Sequence, residues 1–322
     1  MSHVPVLADA AVAALEPRDG GLYVDGTFGG GGYTRLILEA ARCRVVAFDR
    51  DPEAVARGRR MAEGESRLEV VEASFARMAE ELAARGIDRV DGVVLDLGVS
   101  SFQLDDPARG FSFRRPGPLD MRMEKQGPSA ADLVNSLDEA ELARLLRRYG
   151  DEPDARRIAR AIAADRRTAP ITTTDALADL VARVKGRHGG RDPATLTFQA
   201  LRMAVNDELG ELERGLEAAE AVLRPGGRLV VVAFHSGEDA LVKRFIDERG
   251  GRQPAANRHL PPAALPAPRW RWVARKVAVA GADERAHNPR ARSGRLRVAE
   301  RLADGDGSTA SVEGGPAWRL AA

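Results

Sequence analysis

The chain has 322 residues against about 100–200 for a working domain, so two domains, or one large domain carrying an insertion, are expected. With 44% hydrophobic and 30% charged residues it can bury a full core, which excludes a disordered chain, and its single cysteine, Cys43, excludes a disulfide framework or a multi-cysteine zinc site. No purely apolar stretch is longer than Leu229 to Phe234, which falls far short of the roughly 20 residues of a membrane span, and 49 basic against 48 acidic residues leave a net charge of +1.

Along the chain, residues 1–20 have no basic stretch ahead of their apolar residues and contain Asp9 and Glu16, so no signal peptide is expected and the setting is cytoplasmic. Gly21 to Gly26 reads as a strand ending on an acid and a glycine cluster, with a helix from Thr34 to Ala41. Arg44 to Asp49 is a second strand, again ending on an acid, and Pro52 opens another helix. Leu68 to Val71 and Val90 to Leu97 read as third and fourth strands, with a helical pattern over Ser74 to Arg85 between them. Short strands alternating with helices predict a parallel α/β sheet.

That alternation stops at about Asp105. Helical patterns follow at Ala130 to Tyr149, Ala155 to Arg167 and Thr174 to Val184, then one long helix from Thr197 to Leu223. Strand pattern returns at Gly227 to Phe234 after the turn Arg224-Pro225-Gly226-Gly227, and Arg271 to Val279 with Arg295 to Arg301 reads as an antiparallel pair. The expected layout is an α/β domain over residues 1–112 and 196–302, an all-helical insertion over 113–195, and a disordered tail over 303–322. Gln253 to Pro268, with five prolines, is expected to be an irregular loop. Lys243 to Arg301 holds 15 basic and 5 acidic residues, a local excess that suits either a phosphate-attracting face or a set of solvated arginines.

Three places carry chemistry. Asp25-Gly26-Thr27-Phe28-Gly29-Gly30-Gly31-Gly32-Tyr33 lies between the first strand and helix, where an open α/β sheet binds its ligand; a tight turn without a ligand is the plainer alternative. Asp49, about 20 residues on, is placed to accept hydrogen bonds from ribose hydroxyls. A nicotinamide dinucleotide needs G-x-G-x-x-G, but Thr34 stands at the third glycine position, and Asp25 would repel a pyrophosphate while favouring an ammonium. Charge therefore points to S-adenosylmethionine. Asp96, ending the fourth strand before Leu97-Gly98-Val99, can accept hydrogen bonds from an exocyclic amine or simply tie down strand-end amides. His235 closes the fifth strand, either for proton transfer or as a structural histidine. The five histidines show no metal-ligand spacing, and no metal is expected.

These residues, in order, resemble the bacterial 16S ribosomal RNA cytosine-N4 methyltransferases of the MraW type. The likeness rests on His3-Val4-Pro5-Val6-Leu7, DGTFGGGG at Asp25–Gly32, DGVVLDLGVSSFQLD at Asp91–Asp105, RGFSF and GPLDMRM at Arg109–Phe113 and Gly117–Met123. It continues through ARRIARAI at Ala155–Ile162, PATLTFQALRMAVNDEL at Pro193–Leu209, GGRL…FHSGED at Gly226–Asp239 and NPRARSGRLRVAER at Asn288–Arg301. The resemblance implies a Rossmann-like class I S-adenosylmethionine-dependent methyltransferase sheet with an inserted helical domain for substrate recognition. It implies N4-methylation of a cytidine in the decoding region of 16S ribosomal RNA, within the small ribosomal subunit. A homodimer is left open. Carried over by position, Gly31, Gly32 and Tyr33 would meet the amino-acid end of the cofactor, Asp49 the ribose and Phe75 the adenine, with Asp96 and Gln103 completing the site and Asp96 acting on the amine. Three positions depart from the pattern: Tyr33 where a His is general, Asp192 where a His is common, and Gly237 in place of Leu. Backbone contacts survive the change at position 33; a side-chain role of that His is not carried over.

For RNA, Arg290, Arg292 and Arg295 are expected to contact phosphates, and Trp270 and Trp272, interleaved with Arg269, Arg271, Arg275 and Lys276, either stack on bases or pack inward. Two rival classes are a nicotinamide-dependent oxidoreductase and a non-catalytic RNA-binding module on the same fold; a DNA amino-methyltransferase would share the chemistry.

Overall fold

The computed structural model describes residues 5–186, 192–251 and 267–303. The chain divides into two compact units, a sheet unit of Met1–Gly98 with Leu209–Ala322 and a helical unit of Val99–Glu208. Among the described residues no helix is long and apolar enough to cross a membrane. The expected tail beyond residue 303 and most of the proline-rich loop fall outside the described residues, as do His3, His188 and His259.

In the sheet unit, α1 (Ala8–Leu15) precedes β1 (Leu22–Asp25), α2 (Gly32–Ala40), β2 (Arg44–Asp49), α3 (Pro52–Ala62) and β3 (Leu68–Glu72). The Ser74–Arg85 pattern resolves into a 3-10 turn, Phe75–Arg77, running into α4 (Met78–Ala83), and β4 (Val90–Asp96) follows. α3 starts where the sequence says it should: Asp51 caps it by accepting from Glu53 N at 3.0 Å, and Pro52 sits in the first turn, where no N–H is needed.

The helical unit holds α5 (Ser101–Asp105), α6 (Ala130–Ser136), α7 (Glu139–Gly150), α8 (Ala155–Asp165), α9 (Thr174–Lys185) and α10 (Thr195–Val205). The chain then continues as α11 (Glu208–Val222), β5 (Leu223–Ala233), α12 (Ser236–Arg249), β6 (Trp270–Val279), α13 (Ala282–His287) and β7 (Arg295–Arg301).

The strands form one sheet in the order β3-β2-β1-β4-β5-β7-β6. All pairings from β3 to β5 are parallel, and β7 alone runs reversed, antiparallel to both β5 and β6. This is the class I methyltransferase sheet expected. Alternate residues feed opposite faces: Leu229, Val231 and Ala233 of β5 join a core with Leu212, Leu216, Phe245 and Trp270, while Val230 and Val232 join one with Leu15, Ile37 and Leu38. Two buried faces explain why β2 and β5 read as continuous apolar runs.

Four expectations need correction. Ala130 to Tyr149 is two helices, because Asp138 ends the first and caps the second in a reciprocal box with Glu141. The long helix to Leu223 is likewise two, broken at Asn206-Asp207, where Asp207 has φ 46°. The expected turn at Arg224–Gly227 is a bulge inside a strand: Leu223 pairs with Val90 and Arg228 with Gly92, and the residues between loop out. Finally, the helical unit spans Val99–Glu208 rather than 113–195, because α10 buries Phe198, Ala200 and Leu201 in the helical core and Val99 and Leu104 pack on that core.

Candidate functional site

Strand order reverses direction between β1 and β4, and ligands of open α/β sheets bind beyond the carboxyl ends at such a point. Asp25 and Asp96 are the last residues of those two strands, and Asp49 is the last of β2.

Asp25 is buried and committed to the loop. Its Oδ2 accepts from the Thr34 hydroxyl at 2.6 Å and its Oδ1 from Thr27 N at 3.1 Å, while burial pushes its carboxyl up. It shapes the glycine loop instead of reaching out to a ligand. Thr34, where a dinucleotide fingerprint would have its third glycine, is thus part of the loop's own scaffold. Gly31 caps α2 at φ 75°, and a Cβ there would lie 2.7 Å from Phe28 Cζ, so both the backbone and the packing demand glycine. A Cβ on Gly32 would meet Pro5 Cγ at 2.2 Å.

The Gly29 peptide is held from both ends. Its N–H donates to Asp49 Oδ2 at 2.7 Å, and its carbonyl accepts from Arg57 Nε and Nη2 at 3.3 and 3.2 Å. Asp49 Oδ1 accepts from Asp51 N at 2.8 Å. Despite two backbone donors, burial, helped by the fields of Asp51 and Asp25, pushes the half-buried Asp49 carboxyl up to about 6. Arg57 was not foreseen. It falls five residues into α3, and nothing in its local sequence points to the loop.

Tyr33 is buried, and its phenol donates to the Val6 carbonyl. Burial, with Asp96 and Asp25 nearby, holds that phenol well above its ordinary range. The side chain therefore belongs to the core beneath the loop, and only its backbone is left for a ligand. Phe75 is half-buried, its ring pressed on α11 so closely that a Cβ on Gly215 would fall 2.3 Å from two ring carbons.

Asp96 differs from the other acids. Its backbone N–H donates to Thr27 Oγ1 at 2.7 Å, but its side-chain Oδ1 is buried with no hydrogen-bond partner among the described residues. The strand-end amides are thus not what this atom serves. Burial first, then the fields of Asp25 and Glu238, hold its carboxyl well above the usual range.

His235 caps α12. Its Nδ1 accepts from Glu238 N at 3.3 Å, and Glu238 Oε2 accepts from Phe234 N at 2.9 Å and His235 N at 3.4 Å. His235 Nε2 lies 2.9 Å from Glu238 Oε1 without hydrogen-bond alignment. A Cβ at position 237 would lie 3.3 Å from Nδ1 of that ring, a tight contact. The last acid of the motif, Asp239, grips Arg295 and Arg297 at 3.0 and 2.7 Å.

Gln103 belongs to the helical unit. It closes a capping box on α5, its Oε1 accepting from Ser100 N at 2.9 Å and its N–H donating to Ser100 Oγ at 3.3 Å.

The tryptophans of β6 pack inward. Trp270 Nε1 donates to Glu220 at 3.0 Å and Trp272 Nε1 to Asp247 at 2.8 Å, so both indoles are fixed by acids of α11 and α12. Base stacking is not what holds them there. Arg271 pairs with Glu300 at 2.7 Å and Arg269 with Glu220 at 3.3 Å, whereas Arg275, Lys276 and Arg292 lie exposed.

Residues 1–302 match the family model described as the MraW methylase family. The chain is 57% identical over 318 residues to the ribosomal RNA small subunit methyltransferase H of Rhizorhabdus wittichii, covering 97% of both chains. It is 59% identical over 302 residues to the protein of that name from Rhodospirillum centenum, covering 93% of this chain and 92% of the other. Among solved structures, an rRNA methylase from Streptococcus thermophilus is similar at 11% identity with a TM-score of 0.38, covering 94% of this chain and 99% of that one, a loose likeness.

Proposed function

The chain belongs to the MraW methylase family, and from that premise we propose that it transfers a methyl group from S-adenosylmethionine to N4 of a cytidine in the decoding region of 16S ribosomal RNA. Relatives more than half identical along nearly their whole length carry the name of small-subunit ribosomal RNA methyltransferases, which supports the substrate class. The observation that carries the reaction is Asp96: a buried carboxyl oxygen with no partner among the described residues, at the strand switch, beside a glycine loop.

The residues fit the donor. Gly31 and Gly32 let the loop pack tightly on Phe28 and Pro5 and present its backbone to the ligand, and the Tyr33 ring is tucked away beneath. Asp49, already turned toward the loop, accepts ribose hydroxyls, and Phe75 offers the edge of its ring to adenine. Gln103 is assigned to the cofactor on the family resemblance alone. When bound, the donor supplies a methyl group made electrophilic by the sulfonium. A cytosine amine is a poor nucleophile because its lone pair is delocalised into the ring, so the protein's task is mainly positioning. Asp96 accepts one N4 hydrogen, turns the lone pair toward the methyl, and takes the proton as the bond forms. A carboxyl whose proton affinity is raised by burial is better matched to that step than an exposed one. The target base must leave its stack, at a cost of a few kcal/mol that single-stranded or distorted RNA lowers.

The helical unit is assigned to substrate recognition and the exposed Arg275, Lys276 and Arg292 to phosphate contacts. A ribosomal RNA substrate puts this work in the cytoplasm.

The test is methyl transfer from labelled S-adenosylmethionine to unmethylated small subunits and to free 16S RNA, followed by nucleoside analysis. N4-methylcytidine is the expected product, and Asp96→Ala should lower turnover at least about a hundredfold while cofactor still binds. Label on another atom, or an Asp96→Ala protein with ordinary turnover, overturns the reading.

A further inference from the structure

We propose that the sheet unit couples cofactor capture to proton release: Asp96 carries a proton before the donor binds and gives it up to the arriving sulfonium charge, so that the protein tells the cationic donor from the neutral thioether product. This rests on the reading that Asp96 faces the reacting centre.

The geometry is that of a carboxyl surrounded by its own kind. Asp96 ends β4. On one side β1 brings Asp25, whose register partner is Val94; on the other, Asp96 pairs with Val232 of β5, and α12 follows with Glu238 in its first turn. Asp49, at the end of β2, couples to Asp25. From α2 comes Tyr33, a neutral phenol committed to the Val6 carbonyl. His235, at the start of α12, accepts a hydrogen bond at Nδ1 from Glu238 N. Among the described residues of the sheet unit, the charged groups that act on Asp96 are thus acids, with a phenol beside them.

A buried carboxylate oxygen with neither donor nor counter-charge neutralises by binding a proton. A cation within about 4–6 Å reverses the balance by roughly 1–3 pKa units. The bound donor brings such a cation, and the proton leaves Asp96 as it arrives. Turnover then closes the cycle. As the N4–methyl bond forms and the methyl–sulfur bond breaks, the sulfur keeps the bonding pair and the N4 proton passes to Asp96. The product is neutral at sulfur and Asp96 is again protonated, so the charge attraction that held the donor is gone when the product must leave.

Two consequences separate donor from product. Between the donor-bound and free titrations of Asp96, donor affinity should rise with pH by up to about tenfold per unit more steeply than product affinity, and then run parallel to it. Glu238→Gln removes one neighbouring charge but keeps an acceptor for the Phe234 N–H, so Asp96 should ionise more readily before binding and the donor's advantage over the product should shrink.

The experiment is titration calorimetry of the full chain with S-adenosylmethionine and with S-adenosylhomocysteine, in buffers of different protonation enthalpy. It is run at about pH 6.5, where both α-ammonium groups stay protonated. More proton release per donor than per product is expected, the product's share coming from Asp49 at the ribose both ligands carry; the excess should fall toward zero in Asp96→Asn and to an intermediate value in Glu238→Gln. Equal release for both ligands, or an excess that persists in Asp96→Asn, overturns the proposal. Product binding by Asp96→Asn checks that the variant is folded; should it fail to fold, Glu238→Gln with an unchanged excess overturns the proposal instead. If the donor releases no excess yet Asp96→Asn is inactive, the coupling fails and the catalytic reading stands. If Asp96→Asn methylates normally, it is the catalytic reading that fails.

Discussion

Asp49 holds the Gly29 and Asp51 amides on its two oxygens and is nevertheless pushed up to about 6 by burial. Its folded value lies above the unfolded one of 3.8. Between those two values the folded protein binds more protons than the unfolded chain, so this group's contribution to stability falls as pH rises through the window. A rise of about two units at ~1.4 kcal/mol each sets an upper bound of about 3 kcal/mol, which partial exposure and the loss of one backbone acceptor in Asn reduce to about 1–2 kcal/mol. Asp49→Asn should therefore stabilise the ligand-free protein at pH 8 and not at pH 4, measured by urea unfolding at both. Its affinity for S-adenosylmethionine should drop about tenfold from the loss of a charged acceptor. Equal stability changes at the two pH values would show that burial is not what strains this carboxyl. Position at a strand end made Asp49 and Asp96 legible in the sequence. The inward turn of Tyr33 was not, because its phenol is satisfied by Val6, a residue 27 positions away.

The elements show where local pattern gives out. Apolar periodicity carried the helix reading straight through Asn206, yet the helix ends there, with Asp207 at φ 46°, and the Asn206 side chain ties its last turn to a distant segment. Its Oδ1 accepts from Met123 N and its Nδ2 donates to Met121 O, each at 2.8 Å. Asn206→Ala would strand a buried N–H and a buried carbonyl and should cost about 2–4 kcal/mol, read by urea unfolding of the full chain. A loss under about 0.5 kcal/mol would mean water replaces the side chain. On β6 the tryptophans invited a base-stacking role that the fold assigns to packing. Trp272→Phe should lower stability by about 1 kcal/mol through the missing bond to Asp247 and leave RNA affinity unchanged in filter binding. Weaker RNA binding at equal folded fraction would restore the stacking role.

Over the whole molecule, charge separation survives folding only in part. Lys243 to Arg301 carries 15 basic residues against 5 acidic, but Arg249 and Arg269 bind Glu220, Arg271 binds Glu300, and Arg295 and Arg297 bind Asp239. Arg295, expected among the phosphate-binding residues, is thus committed to an acid of α12. The exposed cations Arg275, Lys276 and Arg292 carry the expectation instead. Changing these three to Gln should flatten the salt dependence of RNA affinity by about 0.7 for each phosphate left without its cation, whereas Arg295→Ala should act mainly on stability. A slope unchanged by the triple change would remove this face from the RNA interface.

Contiguous residues were enough to set the strand and helix alternation, the acids at the strand ends, the glycine loop and the family, because each of these is written in one unbroken stretch or in the order of such stretches. Which polar groups those acids meet was settled by folding, since Asp25 is consumed by Thr27 and Thr34 while Asp96 is left with an oxygen unmatched among the described residues. Folding also settled the edge of the helical unit at Val99 and Glu208, because a domain boundary is set by which core a helix buries its apolar face in, and the pattern along one helix is the same for either choice.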